Sequence, residues 1–504
     1  MSNHLFDAIR AVAPADAPFI LIHDGRIWTY NDALALSGRI ASAMDTLGIR
    51  PGDRVAVQVE KSAEALILYL ACLRSGAVYL PLNTAYTLAE LDYFIGDAEP
   101  RLVVVAPSAK AGIEEMAKAH GAIVETLDAD GSGSLLDLAR DEPADFVDAS
   151  RSPDDLAAIL YTSGTTGRSK GAMLTHGNLL SNALTLRDYW RVTAADRLIH
   201  ALPIFHTHGL FVATNVTLLA GASMFLLSKF DAEEVVSLMP QATMLMGVPT
   251  FYVRLLQSPR LDKDAVSSIR LFISGSAPLL AETHTEFQAR TGHAILERYG
   301  MTETNMNTSN PFDGKRIAGT VGFPLPGVTV RVTDPDTSLK LGPDETGMIE
   351  IKGPNVFKGY WRMPEKTAAE FTADGFFISG DLGKIDQDGY VHIVGRGKDL
   401  VISGGYNIYP KEVEGEIDLI DGVVESAVIG VPHPDFGEGV TAIVVRKPGA
   451  IVDEKAIFTV LRHRLARYKQ PKRIIFTDDL PRNTMGKVQK NVLRQQYADL
   501  YART

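Results

Sequence analysis

The sequence predicts an α/β fold with a large N-terminal domain, residues 1–397, and a small, mobile α+β domain, residues 398–504. Three observations support this prediction. Strand and helix patterns alternate through the first half, as in parallel-sheet subdomains covered by helices. From about Gly319 the pattern changes to short β-like runs between turns, which indicates a β-rich subdomain. Small and charged residues at Gly395-Arg396-Gly397-Lys398 then precede a compact α+β pattern, so we expect a hinge there.

The first half contains local signals for individual elements. Apolar runs on both sides of Asp24-Gly25 predict a hairpin over Phe19 to Tyr30. The following signals fit a βαβ succession, interrupted by one acidic surface excursion. In chain order they are a strand at Arg54 to Val59, a helix at Ser62 to Ser75 with Gly76 as cap, strands at Ala77 to Leu80 and Leu102 to Val105 around a capping box at Thr87-x-x-Glu90, the excursion at Asp128 to Asp148, a strand at Leu156 to Leu160 and a helix capped by Thr175.

The second half contains shorter elements. The β-rich part and the C-terminal part each show runs bounded by turn residues. The predicted elements are strands at Val328 to Val332, Met348 to Ile351 and Tyr390 to Val394, then a helix at Glu412 to Ile420, strands at Val424 to Ile429 and Val440 to Val445, and a helix at Glu454 to Tyr468.

The composition predicts a folded, cytoplasmic protein. A content of 46% hydrophobic residues in 504 suffices for sizeable cores, and a formal net charge of −11 argues against nucleic-acid binding and attachment to anionic membranes. The single cysteine, Cys72, excludes a disulfide framework, and we expect it to be buried and inert. Met1 to Ala13 lacks a secretory signal pattern, and polar residues interrupt the apolar run Leu210 to Leu227.

A stretch rich in glycine and hydroxyl residues, Tyr161 to Gly171, follows the apolar strand pattern that ends at Leu160. Glycines allow a close backbone approach, hydroxyls donate hydrogen bonds and a lysine adds a positive charge, so the stretch predicts a phosphate-binding loop rather than a flexible surface loop. Its spacing excludes a Walker A loop. The predicted ATP-binding residues here are Thr162, Ser163, Gly164, Thr165, Thr166, Gly167 and Lys170.

This stretch resembles the signature of the adenylate-forming superfamily, to which acyl-CoA synthetases, firefly luciferase and peptide synthetase adenylation domains belong. Four further motifs follow in family order. The resemblance implies that Tyr299 stacks on the purine, that Thr302 meets the α-phosphate, and that Glu303 is catalytic and binds Mg²⁺ together with Thr165. It also implies the following roles: ribose contacts at Asp381 and Arg396, a hinge at Lys398, a CoA tunnel at Gly404 and Gly405, and a catalytic lysine at Lys487 that also contacts ATP.

The resemblance implies a ligase with ATP, Mg²⁺ and CoA as cosubstrates and cofactor. A carboxylate attacks the α-phosphorus of ATP to give an acyl-adenylate and diphosphate, and the CoA thiol then displaces AMP. Lys487 stabilises the charge of the first step. Because related acyl-CoA synthetases are controlled by acetylation of this lysine, we also expect Lys487 to be a modification site, with a lysine acetyltransferase and a deacetylase as partners.

The identity of the acid is predicted from residues around the acyl pocket. The resemblance places the segment Leu202 to Leu210 there, with the catalytic residue His206 beside the pocket. A zinc pair at His206 and His208 is the alternative, although no cysteine or clustered carboxylate completes it. Arg298 would be unfavourable against a lipid tail but could bind a second carboxylate in a bidentate manner. Together with Ser274, Ser276, Thr207 and Met306 it describes a short polar pocket.

The segment Arg298 to Met306 resembles malonyl-CoA synthetases, so we expect malonate as the acid and methylmalonate as a second substrate. Alternatives are another small acid, a stand-alone adenylation domain that loads a carrier protein, an ATP-sensing module without turnover, and a purely structural ion pair at Arg298.

Overall fold

The structure is a computed structural model that describes residues 2–162, 169–403, 406–465, 467–483 and 486–502. Its strands are β1 Pro18–Leu21, β2 Ile27–Thr29, β3 Arg54–Gln58, β4 Val78–Pro81, β5 Leu102–Val105, β6 Ile123–Thr126, β7 Leu156–Thr162, β8 Lys170–Thr175, β9 Arg197–His200, β10 Ser223–Leu226, β11 Met244–Gly247, β12 Leu271–Ser274, β13 Leu296–Met301, β14 Asn305–Ser309, β15 Phe323–Pro324, β16 Thr329–Thr333, β17 Gly347–Lys352, β18 Phe377–Ile385, β19 Val391–Arg396, β20 Val401–Ser403, β21 Tyr406–Ile408, β22 Val423–His433, β23 Gly437–Arg446 and β24 Arg473–Thr477.

The α-helices are α1 His4–Val12, α2 Tyr30–Thr46, α3 Ala63–Ser75, α4 Leu88–Ala98, α5 Lys110–Ala119, α6 Ser134–Ala139, α7 His176–Tyr189, α8 Asn215–Ala220, α9 Ala232–Leu238, α10 Pro249–Gln257, α11 Ala281–Thr291, α12 Pro364–Ala369, α13 Pro410–Asp418, α14 Glu454–Arg464 and α15 Lys490–Gln496. A π-helix, His208–Thr214, precedes α8.

A six-stranded sheet contains the first predicted elements, in the order β6-β5-β3-β4-β7-β8. All neighbouring strands from β6 to β7 are parallel, as the βαβ pattern predicts. Helix α3 begins where Ser62 accepts a hydrogen bond from the Ala65 N–H and ends at Gly76 in the left-handed conformation. The capping box of Thr87 and Glu90 forms at the start of α4. These local predictions are confirmed.

Three segments differ from the prediction. The chain after β7 continues into a second strand, β8, which pairs antiparallel with β7. The glycine-rich residues therefore connect two paired strands, rather than a strand and a helix, and Thr175 caps α7 after β8. The predicted surface excursion contains α6, because Leu135 and Ala139 are buried in the core. Helix α14 ends at Arg464, before the predicted Tyr468, since Leu465 turns to an extended conformation and is buried.

A nine-stranded sheet has the order β15-β14-β13-β12-β11-β9-β10-β1-β2. The strands from β13 to β1 are parallel, while β14, β15 and β2 pair antiparallel at the two ends. The predicted N-terminal hairpin is the pair β1 and β2. Because neighbouring parallel strands end at the same edge, the segments after β9, β11, β12 and β13 meet there.

The β-rich subdomain is an antiparallel sheet of β16 to β19, as predicted. The smaller C-terminal domain contains β20 to β24, with the long hairpin of β22 and β23 at its centre and α13, α14 and α15 beside it. Its apolar clusters begin at Val401, whereas the clusters of the N-terminal part end at Val391. The two parts therefore have separate cores in the described residues.

The apolar run from Leu210 to Leu227 is divided among the π-helix, α8 and β10. Within the described ranges, no helix has both the length and the apolar character needed to cross a membrane. Cys72 is fully buried in α3, as predicted.

Candidate active site

The predicted acid-binding residues lie at the carboxyl edge of the nine-stranded sheet. His206 follows β9, Ser276 follows β12, and Arg298 is the third residue of β13. Strands β12 and β13 are direct neighbours. Open parallel sheets bind ligands at this edge, so the topology places these side chains in a favourable position for a common site.

Arg298 is a buried guanidinium, 4% exposed, packed against the backbone of Gly275. A Cβ atom at position 275 would lie 2.3 Å from Cζ of Arg298, so this approach requires glycine. Nε and Nη2 of Arg298 have no hydrogen-bond partner among the described residues. Burial lowers the pKa of Arg298 to about 9. The geometry therefore argues against a structural ion pair and favours an anionic ligand.

Other buried polar atoms of the same segments also lack a hydrogen-bond partner in the described part of the chain: Thr207 Oγ1, His208 Nε2 and Ser274 Oγ. Native proteins rarely leave such atoms unsatisfied. Ser276 adopts a positive φ of 72° and its Oγ lies 3.2 Å from Nδ1 of His208. A concentration of unsatisfied donors and acceptors around a buried cation indicates a binding site for a polar anion.

The imidazoles of His206 and His208 both respond to the charge of Arg298. Burial, then Arg298 and Lys487, lower the pKa of His206 to about 4. Burial, followed by Arg298 and His206, lowers the pKa of His208 well below its usual range. Both rings are therefore neutral near pH 7, and neither adds a positive charge to the site. Among the described residues, no group of three His, Cys, Asp or Glu side chains could hold a metal ion, so a zinc centre at these histidines lacks the remaining ligands.

Met306 lies on β14, opposite Gly300 of β13. A Cβ atom at position 300 would lie 2.5 Å from Cε of Met306, so the methionine side chain covers this glycine. Met306 is 2% exposed. The structure thus places it one strand away from Arg298, on the segment that follows the predicted nucleotide-binding motif.

The predicted nucleotide residues Tyr299, Asp381 and Arg396 form one hydrogen-bonded group. Asp381 Oδ1 lies 2.7 Å from Nε of Arg396, and its Oδ2 accepts a hydrogen bond from the Tyr299 hydroxyl. The Ser379 Oγ accepts the Asp381 N–H at 3.0 Å. Asp381 raises the pKa of Arg396 and, after burial, that of Tyr299. The carboxylate is therefore held in a fixed position.

Glu303 and Lys170 are linked by two residues that the sequence did not single out, Tyr360 and Glu370. The Tyr360 hydroxyl lies 3.0 Å from Glu303 Oε1 and 2.7 Å from Glu370 Oε2. Lys170 Nζ lies 3.2 Å from Glu370 Oε1 and 4.2 Å from the centre of the Tyr360 ring. Burial raises the pKa of Glu303. A buried carboxylate in this state gains stability as an anion when a cation binds, so Glu303 fits a Mg²⁺ ligand that works with nucleotide phosphates.

Lys487 reaches this site from the C-terminal part of the chain. The preceding residue, Gly486, has a φ of 73°, and a Cβ atom there would lie 3.0 Å from Cγ2 of Thr250 in the segment after β11. Arg482 Nη1 donates a hydrogen bond to the Gly486 carbonyl at 2.7 Å. Burial lowers the pKa of Lys487, with a further contribution from the charge of Arg396, although the residue as a whole is exposed.

Lys398 lies in a short helical turn, Gly397–Asp399, directly after β19. Burial lowers its pKa to about 8, although the residue as a whole is exposed. The neighbouring Asp399 forms an ion pair with Arg494 of α15. This turn connects the two separately packed parts of the chain.

Some predicted site residues lie outside the described residues: Ser163, Gly164, Thr165, Thr166, Gly167, Gly404 and Gly405. Thr162 directly precedes the first gap and Lys170 is the second residue after it, and Thr162 Oγ1 lies 3.5 Å from the Lys170 carbonyl oxygen. Thr302 lies in the turn between β13 and β14. Tyr360, Glu370 and Thr250 were not predicted from the sequence, because their partners lie far away along the chain.

Comparison with known proteins identifies the family of the chain. Residues 7–361 match the AMP-binding enzyme family, and residues 412–487 match the AMP-binding enzyme C-terminal domain. The chain belongs to the AMP-binding enzyme family. The identification of an adenylate-forming enzyme from its motifs is thereby confirmed.

Three relatives show the range of similarity of this AMP-binding enzyme. The ATP-bound crystal structure of MatB from Rhodopseudomonas palustris is 64% identical, with 99% of this chain and 100% of that chain covered and a TM-score of 0.98. The feruloyl-CoA synthase of an Amycolatopsis species is 38% identical over 94% of this chain and 95% of its own length. The malonate–CoA ligase of Arabidopsis thaliana is 34% identical over 91% and 80%. The family and its CoA-ligase relatives support ATP and CoA as substrates of this AMP-binding enzyme.

Proposed function

We propose that this enzyme is a malonate–CoA ligase that converts malonate, ATP and CoA into malonyl-CoA, AMP and diphosphate, and that also uses methylmalonate. The observation that carries the proposal is the buried Arg298, whose Nε and Nη2 are without partners in the described residues. The names of relatives do not decide the acid, because the feruloyl-CoA synthase is more similar in sequence than the Arabidopsis malonate–CoA ligase. Ferulate has only the carboxylate that is activated, so it has no second carboxylate to neutralise this arginine.

The second carboxylate of malonate complements the chemistry of the pocket. A planar carboxylate binds two N–H groups of a guanidinium in a bidentate manner. Thr207, Ser276 and the neutral His208 supply further polar contacts at the rim of the same pocket. We place Met306 and Thr207 at the wall against the C2 carbon, where the methyl group of methylmalonate would lie. This arrangement selects short diacids over monoacids, because a monoacid leaves the buried charge unpaired.

The first half-reaction joins the other carboxylate of malonate to AMP. A carboxylate oxygen attacks the α-phosphorus, a P–O bond forms, and the bond to the bridging oxygen of diphosphate breaks. Lys487 stabilises the negative charge that develops between the reacting carboxylate and the α-phosphate. Its position beside His206 supports this role, since the charge of Lys487 acts on that imidazole.

We assign the nucleotide to residues from four segments. Tyr299 covers the purine, Asp381 and Arg396 contact the ribose, and Thr302 contacts the α-phosphate, while the loop from Thr162 to Lys170 holds the terminal phosphates. The contacts of Asp381 with Tyr299 and Arg396 support a preformed ribose site. Glu303, together with Thr165, would hold Mg²⁺, which neutralises charge on the phosphate oxygens when it is bound.

The second half-reaction transfers the malonyl group to CoA. The thiol sulfur attacks the acyl carbon, the C–S bond forms, the C–O bond to AMP breaks and the thiol proton is released. We assign the domain boundary to residues 397 and 398, with Lys398 as the hinge about which residues 398–504 rotate between the two steps. Gly404 and Gly405 then border the path of the pantetheine arm, and neutral His206 lies beside the acyl group. ATP and CoA are cytoplasmic metabolites, so we place the reaction in the cytoplasm.

We also propose control by acetylation of Lys487. When the C-terminal domain rotates between the two steps, it carries the amine of Lys487 out of the site and exposes it to a lysine acetyltransferase, and acetylation removes the charge that the first step needs. A deacetylase restores activity. The check is to acetylate the enzyme enzymatically, map the site by peptide mass spectrometry and assay both half-reactions. Full adenylation by protein that is stoichiometrically acetylated at Lys487 contradicts the proposal.

The experiment for the main proposal is acid-dependent ATP–diphosphate exchange with malonate, methylmalonate, succinate, acetate, ferulate and amino acids, followed by mass spectrometry of products with CoA. Malonyl-CoA and AMP should form fastest from malonate. Faster exchange with succinate or acetate indicates a ligase for another small acid. Exchange with an amino acid, without any acyl-CoA product, indicates an adenylation domain that loads a carrier protein.

A further inference from the structure

The pairing between β13 and β14 contains a bulge at the position of Met306. Thr308 is opposite Tyr299, but Met306 is opposite the next residue, Gly300, so Asn307 is an additional residue on β14. A bulge disrupts the ladder locally and redirects the neighbouring side chains. The backbone around Met306 therefore depends on partners other than regular strand pairing for a defined position.

Side-chain amides from two other segments supply these partners. Asn182 of α7 accepts the Met306 N–H at 3.2 Å through Oδ1 and donates to the Met306 carbonyl at 2.9 Å through Nδ2. Asn355 donates to the same carbonyl at 3.2 Å and to the Thr304 carbonyl at 2.6 Å. The backbone N–H and carbonyl of Met306 are thus both bonded to the side-chain amide of Asn182, as they would be to a neighbouring strand.

The environment makes these contacts strong determinants of geometry. Asn182 is 5% exposed and Asn355 is 1% exposed, so water competes little for their amides. The N–H of Met306 needs an acceptor and its carbonyl needs a donor, which fixes the orientation of the Asn182 amide. With its backbone fixed and Cε packed over Gly300, the Met306 side chain has little freedom to withdraw from the pocket.

We propose that Asn182 is a specificity-determining positioning residue, which excludes acids larger than methylmalonate by holding the backbone of Met306 in place. This inference rests on the proposed function, in which Met306 forms the wall at C2 of the acid. Asn182 itself does not touch the substrate. Its removal should let Met306 move away and widen the pocket.

The test compares kcat/KM for ethylmalonate with kcat/KM for malonate. Asn182→Ala should raise this ratio by about tenfold, since small differences in pocket size commonly change discrimination by this order. In a Met306→Ala background the additional Asn182→Ala change should alter the ratio less than about twofold, because the residue that it positions is no longer large. If the alanine variant does not fold, Asn182→Asp is the replacement test. Aspartate keeps an acceptor for the Met306 N–H but loses the donor to the Met306 carbonyl, so this variant should also raise the ratio.

Asn3→Ala is the matched control. Asn3 is also a buried asparagine whose Nδ2 donates to two backbone carbonyls, those of Leu73 and Ala149, but it lies outside the site. It should lower the melting temperature without a change in the ratio. An unchanged ratio in a folded Asn182 variant, or an equal rise in both backgrounds, overturns the inference. If wild-type enzyme prefers another small acid, the proposed function fails, and the same ratio is measured for that acid and its homologue with one more methylene.

Discussion

The ammonium of Lys487 lies close enough to His206 to lower the pKa of the imidazole, so the C-terminal lysine and the segment after β9 share one site. Burial and Arg298 contribute more to this pKa, which falls to about 4. In the proposed mechanism, this arrangement corresponds to the first half-reaction, in which the lysine reaches the carboxylate that is activated.

Replacement of Lys487 should separate the two half-reactions. Lys487→Ala should nearly abolish malonate-dependent diphosphate release, because the transition-state charge loses its partner. Malonyl-AMP supplied ready-made should still react with CoA. The measurement is diphosphate release for the first step and thioester formation from purified malonyl-AMP for the second. Comparable loss in both assays contradicts the assignment.

The pH dependence should show the same separation. Burial and Arg396 lower the pKa of Lys487. In the proposed mechanism the charged form of this lysine is the active one. Below this pKa the lysine is protonated and the first half-reaction proceeds, and as pH rises through it kcat/KM for ATP should fall, earlier than an ordinary lysine would lose its proton. The second half-reaction from supplied malonyl-AMP should lack this alkaline limb. Lys487→Arg should shift the limb to higher pH, because arginine keeps its proton.

Acid preference should depend on Arg298. Loss of one partner of a buried charge pair typically costs about 3–5 kcal/mol, so Arg298→Ala should lower kcat/KM for malonate roughly a hundredfold or more. ATP binding, measured by calorimetry, should be close to that of the wild type. Arg298→Lys keeps a charge without the bidentate geometry and should fall between the two. Malonate turnover near the wild-type rate in Arg298→Ala would refute the role.

Pocket size should depend on Thr207 and Met306. Thr207→Gly or Met306→Ala should raise the use of ethylmalonate relative to malonate, because either change removes atoms from the wall at C2. Competition between the two acids for limiting enzyme, with mass spectrometry of the products, measures the ratio. No rise in either variant means that these residues lie elsewhere than proposed.

The hinge should control only the second step. Proline at position 398 restricts the backbone rotation that exchange of the two arrangements needs. Lys398→Pro should therefore accumulate malonyl-AMP and transfer it slowly to CoA, as rapid-quench analysis can show. Lys398→Ala removes the same side chain without this restriction and serves as the control. Equal loss of both steps in the proline variant points to misfolding instead.

Local signals predicted much of the fold. The caps at Ser62, Gly76 and Thr87 act within one helical turn, so the sequence alone indicates where α3 and α4 begin or end. Strand β8 was missed because its pairing with β7 depends on a contact across a glycine-rich connection. Helix α6 was missed because its burial comes from packing against a helix far away along the chain.

The candidate site was predictable where a motif keeps its residues adjacent, as at Arg298 and Tyr299. The link from Lys170 through Glu370 and Tyr360 to Glu303 could not be predicted. It joins strand β8 of the six-stranded sheet to the turn after β13 of the nine-stranded sheet. The sequence also did not indicate that Asn182 holds Met306. Asn182 lies in α7 and Met306 in β14, and no sequence motif contains both residues.

The separate cores of the two parts have a thermodynamic consequence for the proposed rotation of the C-terminal domain. In the described residues, the apolar clusters of the two parts share no member, and an ion pair between them joins Lys447 to Glu282 across 3.7 Å at the surface. Rotation can then proceed with little change in apolar surface exposed to water, so its heat-capacity change should be small. The enthalpy difference between the two arrangements should therefore be nearly constant with temperature. The equilibrium between them should respond instead to ionic strength, which screens exposed charges.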